Sequence, residues 1–143
     1  MFRADLVAFR EGRPIVVVEA KGRPVQARFH RPVVEQLSTF STSVNSPWLF
    51  LVDPQTTQVF RSIDGTRPVA TISTREILQE EMPNQMNVIG EKTLLFAFDR
   101  WLLSLPQRTA FFGRHPELQD LAKDLSNHIT TVRDWWPGRS GGG

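Results

Sequence analysis

Apolar residues occur in short runs over the first half of the chain and at helical spacing over much of the second half. Two runs, at residues 6–9 and 15–18, flank the turn-forming sequence Glu11-Gly12-Arg13-Pro14, which predicts a β-hairpin. A continuous apolar run at 48–52 predicts a strand buried on both faces and paired with the strand at 15–18. Alternation at 57–61 predicts its hairpin partner, and residues 69–72 predict an edge strand.

Helical spacing predicts the elements that cover this sheet. Pro32 can begin a helix, and the apolar positions after it predict that this helix lies on the sheet and ends at 45–47. Ser73 or Thr74 would cap a short helix at 75–81. A longer amphipathic helix is predicted to end at Pro106. Its apolar positions are Leu94, Leu95, Phe98, Trp101, Leu102 and Leu105.

A last helix is predicted to begin near Pro116. Its apolar positions are Leu118, Leu121, Leu125, Ile129 and Val132. The apolar faces of the last two predicted helices can pack against each other as a helical hairpin or dock another subunit. The pattern therefore predicts one α/β domain, with a sheet core over residues 1–72, a helical extension over 73–136 and a disordered tail over 137–143.

The amino-acid composition excludes several kinds of functional site. The chain has 143 residues, 40% of them hydrophobic, and no cysteine, so disulfides, thiolate metal sites and cysteine nucleophiles are excluded. The three histidines show no ligand spacing. No apolar run reaches membrane-spanning length and no signal sequence is visible, so we expect a cytoplasmic protein without membrane contact.

Positive charge is concentrated near the amino terminus. Residues 1–31 contain seven Lys or Arg and three Asp or Glu, a local net charge of +4. A basic surface beside carboxylates would favour a phosphate backbone, although a solvated face of ordinary composition gives the same pattern. The candidate nucleic-acid-binding residues are Arg10, Arg13, Arg23, Arg28 and Arg31.

Three charged residues stand at one end of the predicted hairpin. Asp5 precedes the first apolar run, and Glu19 and Lys21 follow the second. A two-residue loop at 12–13 would pair Asp5 with Ala20, on the opposite face from Glu19. A three-residue loop at 10–12 with a bulge would place Phe9 opposite Arg13 and Asp5 beside Val17, diagonal to Glu19. We expect the three-residue loop.

In that register two carboxylates and an ammonium converge. Asp5, Glu19 and the backbone carbonyl of Ala20 would offer oxygen ligands to Mg²⁺ or Mn²⁺. Lys21 would orient the attacking water and offset negative charge that develops on a phosphate. These parts suit phosphodiester hydrolysis. The alternative is an ordinary hairpin end with solvated charges, which the same short motif also fits.

This arrangement resembles the PD-(D/E)XK, or restriction-endonuclease-like, nuclease superfamily. The resemblance rests on Asp5, the hairpin and Glu19-Ala20-Lys21, and it is closest to the amino-terminal nuclease domains of type I restriction subunits. It continues at Gln36, which matches a glutamine on the helix after the active-site strands in some branches. Residues 36–40 then end in Phe40 where a tyrosine often stands, and Ala4 replaces a frequent proline.

The resemblance implies a restriction-endonuclease-like mixed sheet, divalent-metal-dependent cleavage of DNA, and Gln36 as a supporting catalytic residue. It covers residues 3–63 and lacks the first helix and first strand of the family core. We therefore expect a fragment, a later start than the true one, or a core completed by a partner. Homodimers or larger restriction or repair complexes would form through the carboxy-terminal helices. The alternative function is a catalytically inactive nuclease-fold module that binds DNA or protein.

Overall fold

The computed structural model describes residues 2–81, 90–125 and 128–139. These residues form an α/β fold with one six-stranded mixed sheet and helices on both faces. The strands are β1 (Ala4–Arg10), β2 (Arg13–Ala20), β3 (Trp48–Val52), β4 (Thr56–Arg61), β5 (Pro68–Ser73) and β6 (Thr130–Trp135). The helices are α1 (Ala27–Ser43), α2 (Thr74–Glu81), α3 (Glu91–Ser104), α4 (Thr109–Arg114) and α5 (Gln119–Asp124).

The strand order in the sheet is β5-β4-β3-β2-β1-β6. Only the central pair, β2 and β3, is parallel, and α1 makes the crossover between these two strands. All other neighbours are antiparallel. All five residues of β3 are buried, as the unbroken apolar run predicts. The predicted pairing of β3 with β2, its hairpin with β4 and the edge position of β5 are confirmed.

The first hairpin is present, but its predicted loop is wrong. Its turn is the two-residue loop Glu11-Gly12, with φ of 53° and 76°, and Arg10 pairs with Arg13. Positive φ at both loop positions matches the twist of the flanking strands, and glycine adopts it readily. The pairing then shifts by one residue, from Phe9 opposite Pro14 to Ala8 opposite Val16. This bulge sets the register for the rest of the hairpin.

Two apolar layers sandwich the sheet. On one face, Val34, Leu37 and Phe40 of α1 pack against strand residues that include Val17 and Leu49. On the other face, helices α2 to α5 pack over the alternate strand residues. Aromatic rings link that second layer, where Trp101 lies 5.0 Å from Phe111 and 5.1 Å from Phe98 between ring centroids.

Helix α1 begins five residues earlier than predicted. Residues 27–31, expected to be part of a basic loop, form its first turns, and Pro32 lies inside the helix. Proline there removes one backbone donor, and burial of the apolar side that includes Leu37 outweighs that loss. The predicted end is correct, since the helix ends at Ser43 and Asn45 has a φ of 59°.

The carboxy-terminal helical hairpin is not formed. Helix α3 is confirmed. The segment predicted to be the last helix instead contains a 3₁₀ turn at Pro116–Leu118, the short helix α5 and then strand β6. Strand β6 pairs antiparallel with β1, with Val132 opposite Val7. The β-branched run Thr130-Thr131-Val132 favours a strand, and helical spacing over Ile129 and Val132 hid it. The carboxy-terminal segment thus extends the sheet.

No helix in the described part of the chain is both long and apolar enough to cross a membrane. The predicted tail lies mostly outside the described residues, which end at 139.

The two adjacent tryptophans at the end of β6 differ in burial, because successive side chains along a strand point to opposite faces. Trp135 is buried against Phe9 and Phe40, with ring centroids 5.4 and 6.2 Å away, whereas Trp136 is only partly buried beside Arg3.

We predict that Trp135→Ala lowers the free energy of unfolding by about 3 kcal/mol, because it leaves a cavity between β6 and α1. Trp136→Ala serves as the matched control and should cost less than about 1 kcal/mol. Urea unfolding followed by circular dichroism measures both. Equal effects of the two substitutions would contradict the docking of β6 on the core.

Candidate active site

Asp5 and Glu19 meet at the open end of the first hairpin. Leu6 pairs with Val18, and continuing that register by one pair puts Asp5 directly opposite Glu19. The backbone N–H of Ala20 donates to Asp5 Oδ2 at 2.8 Å, which anchors the carboxylate beside β2. The expected convergence of the two acids is therefore present, but by direct pairing of Asp5 with Glu19 and not by the diagonal relation to Glu19 that the three-residue loop would give.

Glu19 is an unusual residue for the end of a central strand. Its side chain is buried, with a relative exposure of 9%. Burial is the largest cause that raises the pKa of Glu19 from 4.5 to about 9, and the Asp5 carboxylate contributes to the same rise through a hydrogen bond and like-charge repulsion. Lys21 opposes the shift, and Glu91 adds to it. Burial and the neighbouring Asp5 carboxylate therefore both favour the protonated form of Glu19.

Lys21 lies one residue beyond the end of β2. Its backbone N–H donates to the carbonyl of Val52 at 2.8 Å, so the chain stays in strand geometry through this position. Side chains alternate along a strand, so Lys21 and Glu19 share a face while Ala20, opposite Val52, is turned away. Lys21 is partly buried, and its positive charge is near enough to Glu19 to oppose the rise in the pKa of that carboxyl.

A third carboxylate, Glu91, approaches from the other half of the chain. It is the first residue of α3, and a Cβ built on Gly22 would lie 3.5 Å from its backbone nitrogen. The loop that leaves β2 thus packs on the start of α3, which brings Glu91 within electrostatic reach of Glu19. Sequence reasoning missed Glu91, because only the tertiary fold joins positions 19 and 91.

Asp5 and Lys21 each line an open cavity. One, of about 580 Å³, is lined by Asp5, Glu91, Lys92, Thr93 and Arg133 among others. The other, of about 350 Å³, is lined by Lys21 and by the loop and helix that follow it.

Asp53 is a turn former, as its position before Pro54 predicts. Its Oδ1 accepts from the backbone N–H groups of Gln55 and Thr56, both at 2.8 Å. Its Oδ2 also accepts from the N–H of Val25 at 3.1 Å. The same carboxylate therefore fixes the β3–β4 turn and the loop after Lys21, a supporting role that the sequence did not reveal.

The other predicted site residues are spread over the molecule. Gln36 is exposed and lines a separate groove with Phe2 and Phe40, a groove that none of the three central charged residues lines. Arg10 and Arg13 lie at the turn end of the hairpin, and Arg10 is five residue steps along β1, roughly 16 Å, from Asp5.

Arg10 is also occupied by structural contacts, since its guanidinium donates to the carbonyls of Lys123 and Asp124 at 3.2 and 3.0 Å. Of the other predicted arginines, Arg23 lines the Lys21 cavity, and Arg28 and Arg31 are on the first turns of α1. Arg31 pairs with Glu35 at 2.9 Å.

The donor set suits a hard cation in chemical type. Asp5 and Glu19 supply carboxylate oxygens, and a divalent cation between them would replace the proton that burial and repulsion retain. Within residues 2–81, 90–125 and 128–139, no three or more His, Asp or Glu side chains are grouped closely enough to hold a metal ion by themselves. Any cation here would therefore need backbone, water or substrate oxygens as well.

Comparison of the chain with protein-family models, curated proteins and solved structures finds no match.

The raised pKa of Glu19 predicts a pH-dependent stability. Between its ordinary value of 4.5 and about 9, the unfolded carboxyl ionises while the folded one keeps its proton. The stabilisation is complete below the lower value and is lost as the pH rises toward the upper one. Without metal, the wild-type protein should therefore lose up to about 1.4 kcal/mol per pH unit relative to Glu19→Gln, which cannot ionise.

Denaturant unfolding in EDTA at pH 5, 6.5 and 8 measures this difference. Glu11→Gln, which changes an exposed carboxylate in the hairpin turn, is the control and should follow the wild-type protein. A parallel pH dependence of wild type and Glu19→Gln would show that Glu19 does not retain its proton.

Proposed function

We propose that this protein is a divalent-metal-dependent nuclease that hydrolyses phosphodiester bonds in DNA. One observation carries the proposal: a buried glutamate lies opposite an aspartate across a hairpin, and a lysine lies on the same strand face as the glutamate, two residues further on. A buried glutamate with a strongly raised pKa, opposite an aspartate that lines an open cavity, is typical of a functional site. A solvated hairpin end would leave the glutamate exposed.

Each residue has a chemical role in this proposal. Asp5, fixed by the Ala20 N–H, and Glu19 would hold Mg²⁺ or Mn²⁺, with the Ala20 carbonyl as the proposed third protein ligand. When bound, the cation supplies Lewis-acid polarisation of the phosphate and a more acidic water. Lys21 donates to a phosphate oxygen or orients the attacking water, and its charge offsets the charge developing at phosphorus.

The sheet topology supports the resemblance to the PD-(D/E)XK superfamily. That core runs helix, three strands, helix, strand, and the sequence from β1 to β3 supplies only its last four elements. Strand β6 occupies the position beside β1, and α3 covers the sheet face opposite α1. Placing α3 and β6 before β1 reproduces the whole order, so the carboxy-terminal half would contribute the two expected elements in permuted order.

Glu91 fits the same permuted arrangement. The first helix of the family core can carry a further acidic ligand, and α3 brings Glu91 to the acid pair. Its side chain is exposed, so it would act at the outer side of the site, through water or directly. Gln36 has no comparable support, since it lines a different groove.

We predict that Lys21→Ala lowers the rate of Mg²⁺-dependent DNA cleavage by about 100-fold or more, because the transition state loses its nearest cation. A fluorescent single-stranded oligonucleotide and a duplex of the same sequence serve as substrates, with products separated by gel. Lys123→Ala removes the same charge from α5 and should leave the rate within about twofold of wild type.

Three results would contradict the proposal: cleavage unaffected by EDTA, cleavage retained by folded Lys21→Ala, or no cleavage by the folded wild-type protein with Mg²⁺ and Mn²⁺. Retention of DNA binding in the last case would favour the alternative, an inactive nuclease-fold module. Circular dichroism of each variant verifies folding.

Glu91→Gln tests the third acid. We expect the Mg²⁺ concentration for half-maximal cleavage to rise several-fold, because a nearby negative charge that attracts the cation is lost. Glu117→Gln, an exposed glutamate after α4, is the control and should not change the Mg²⁺ requirement. An unchanged requirement in Glu91→Gln would remove Glu91 from the site.

A further inference from the structure

The cavity lined by Lys21 has walls of mixed chemical character. It measures about 350 Å³. Its walls combine cationic side chains with apolar ones and one amide. The side chains that define it are Lys21, Arg23, Pro24, Gln26, Phe29 and Val33. Cationic side chains alone would suit a phosphate group, whereas the apolar surface favours a ligand that also has an aromatic or aliphatic group.

Phe29 is the main apolar surface of this cavity. It is on the first turn of α1, and half of its side-chain area is exposed, with a relative exposure of 50%. The Arg28 guanidinium lies 4.6 Å from the ring centroid and covers one face. The ring has a second face, and a planar partner there would complete a stack.

The walls of the cavity are held in place by polar contacts from the sheet. Asp53 accepts from the backbone N–H of Val25 at 3.1 Å, which fixes the loop after β2. His30, next to Phe29, shares a hydrogen bond with Gln58 of β4, which fixes the first turns of α1. The cavity is therefore pre-formed, which reduces the ordering required when a ligand binds.

Charge distinguishes this cavity from the one beside Asp5. Lys21 and Arg23 are the charged residues among those that line it, and both are positive. The Asp5 cavity includes Glu91 and Asp134 beside its cations. An anionic ligand with an aromatic part is therefore favoured at Phe29, and a nucleotide unit of a DNA strand has both properties.

We propose that the Phe29 cavity binds an unpaired base of the DNA strand whose neighbouring phosphate lies at Lys21. The base stacks on the open face of Phe29, Gln26 is the amide available to its edge, and Arg23 binds the next phosphate. Bases within a duplex are already covered by their neighbours, so this site selects single-stranded or frayed DNA. The inference rests on the proposed nuclease function and specifies its substrate.

Equilibrium binding in EDTA tests this proposal without cleavage. The probes are a labelled eight-nucleotide oligo-dT and the same backbone with abasic units, at one fixed salt concentration. Because stacking of one base contributes about 1–3 kcal/mol, the wild-type protein should bind oligo-dT about tenfold more tightly than the abasic strand. Phe29→Ala should remove most of that ratio, and Phe29→Trp should keep it.

Phe96→Ala is the matched control. Phe96 on α3 is also exposed, at 45%, and carries Arg100 at 5.8 Å from its ring, but it does not line the cavity. This variant should keep the wild-type ratio. A ratio near one in the wild-type protein, or an unchanged ratio in folded Phe29→Ala, overturns the proposal.

Cleavage assays separate this inference from the proposed function. Metal-dependent cleavage with no preference between base-bearing and abasic strands would refute the base site and keep the nuclease. Base-dependent binding that Phe29→Ala removes, without cleavage by the wild-type protein, would support the base site and refute the nuclease.

Discussion

The candidate site depends on a buried glutamate, Glu19, that the first hairpin holds opposite a second carboxylate, Asp5. Desolvation and like-charge repulsion both oppose ionisation of Glu19, and the hairpin prevents Glu19 and Asp5 from separating. A proton or a cation at this position would relieve both effects. A strand selected only for stability would carry an apolar residue there, as β3 does throughout. The strain on the acid pair is thus the main reason to assign chemistry to this end of the sheet.

The register of the first hairpin creates this constraint. With the two-residue turn alone, the pairing of Arg10 with Arg13 would continue along both strands and put Ala4 opposite Glu19. The bulge between the turn and Val16 adds one residue to β2 and moves Asp5 into that position. Strands β3 and β6 then fix the hairpin from either side. A local irregularity near one end of the hairpin thereby determines which residues meet at the other end.

The local parts of this arrangement could be predicted from sequence. Apolar runs and alternation predicted β1 to β5. The charged residues after Val18 indicated the candidate site, because side chains alternate along a strand and Glu19 and Lys21 therefore share a face. The turn type was wrong, since Glu11 adopts a positive φ that its identity does not signal. The bulge could not be predicted, because it depends on how β1 and β2 pack between the two apolar layers.

The non-local parts could not be predicted in the same way. Ile129 and Val132 fit a helical stripe equally well, and only pairing with β1 makes residues 130–135 a strand. Glu91 and Phe29 became candidate site residues only through their tertiary contacts. Glu91 lies against Gly22, and Phe29 lines the Lys21 cavity. Gln36 had the expected position in sequence, yet its helix turn faces another groove. Motif spacing therefore identified the strand-borne residues of the site but not those on helices.

Calorimetric titration of the protein with Mn²⁺ tests the central claim most directly. If Asp5 and Glu19 form one cation site, a single Mn²⁺ should bind near pH 7 and displace about one proton from Glu19, measured by repeating the titration in buffers of different ionisation enthalpy. Asp5→Asn should abolish this binding while the protein stays folded. Absence of binding in the wild-type protein, or equal binding in Asp5→Asn, would contradict the account.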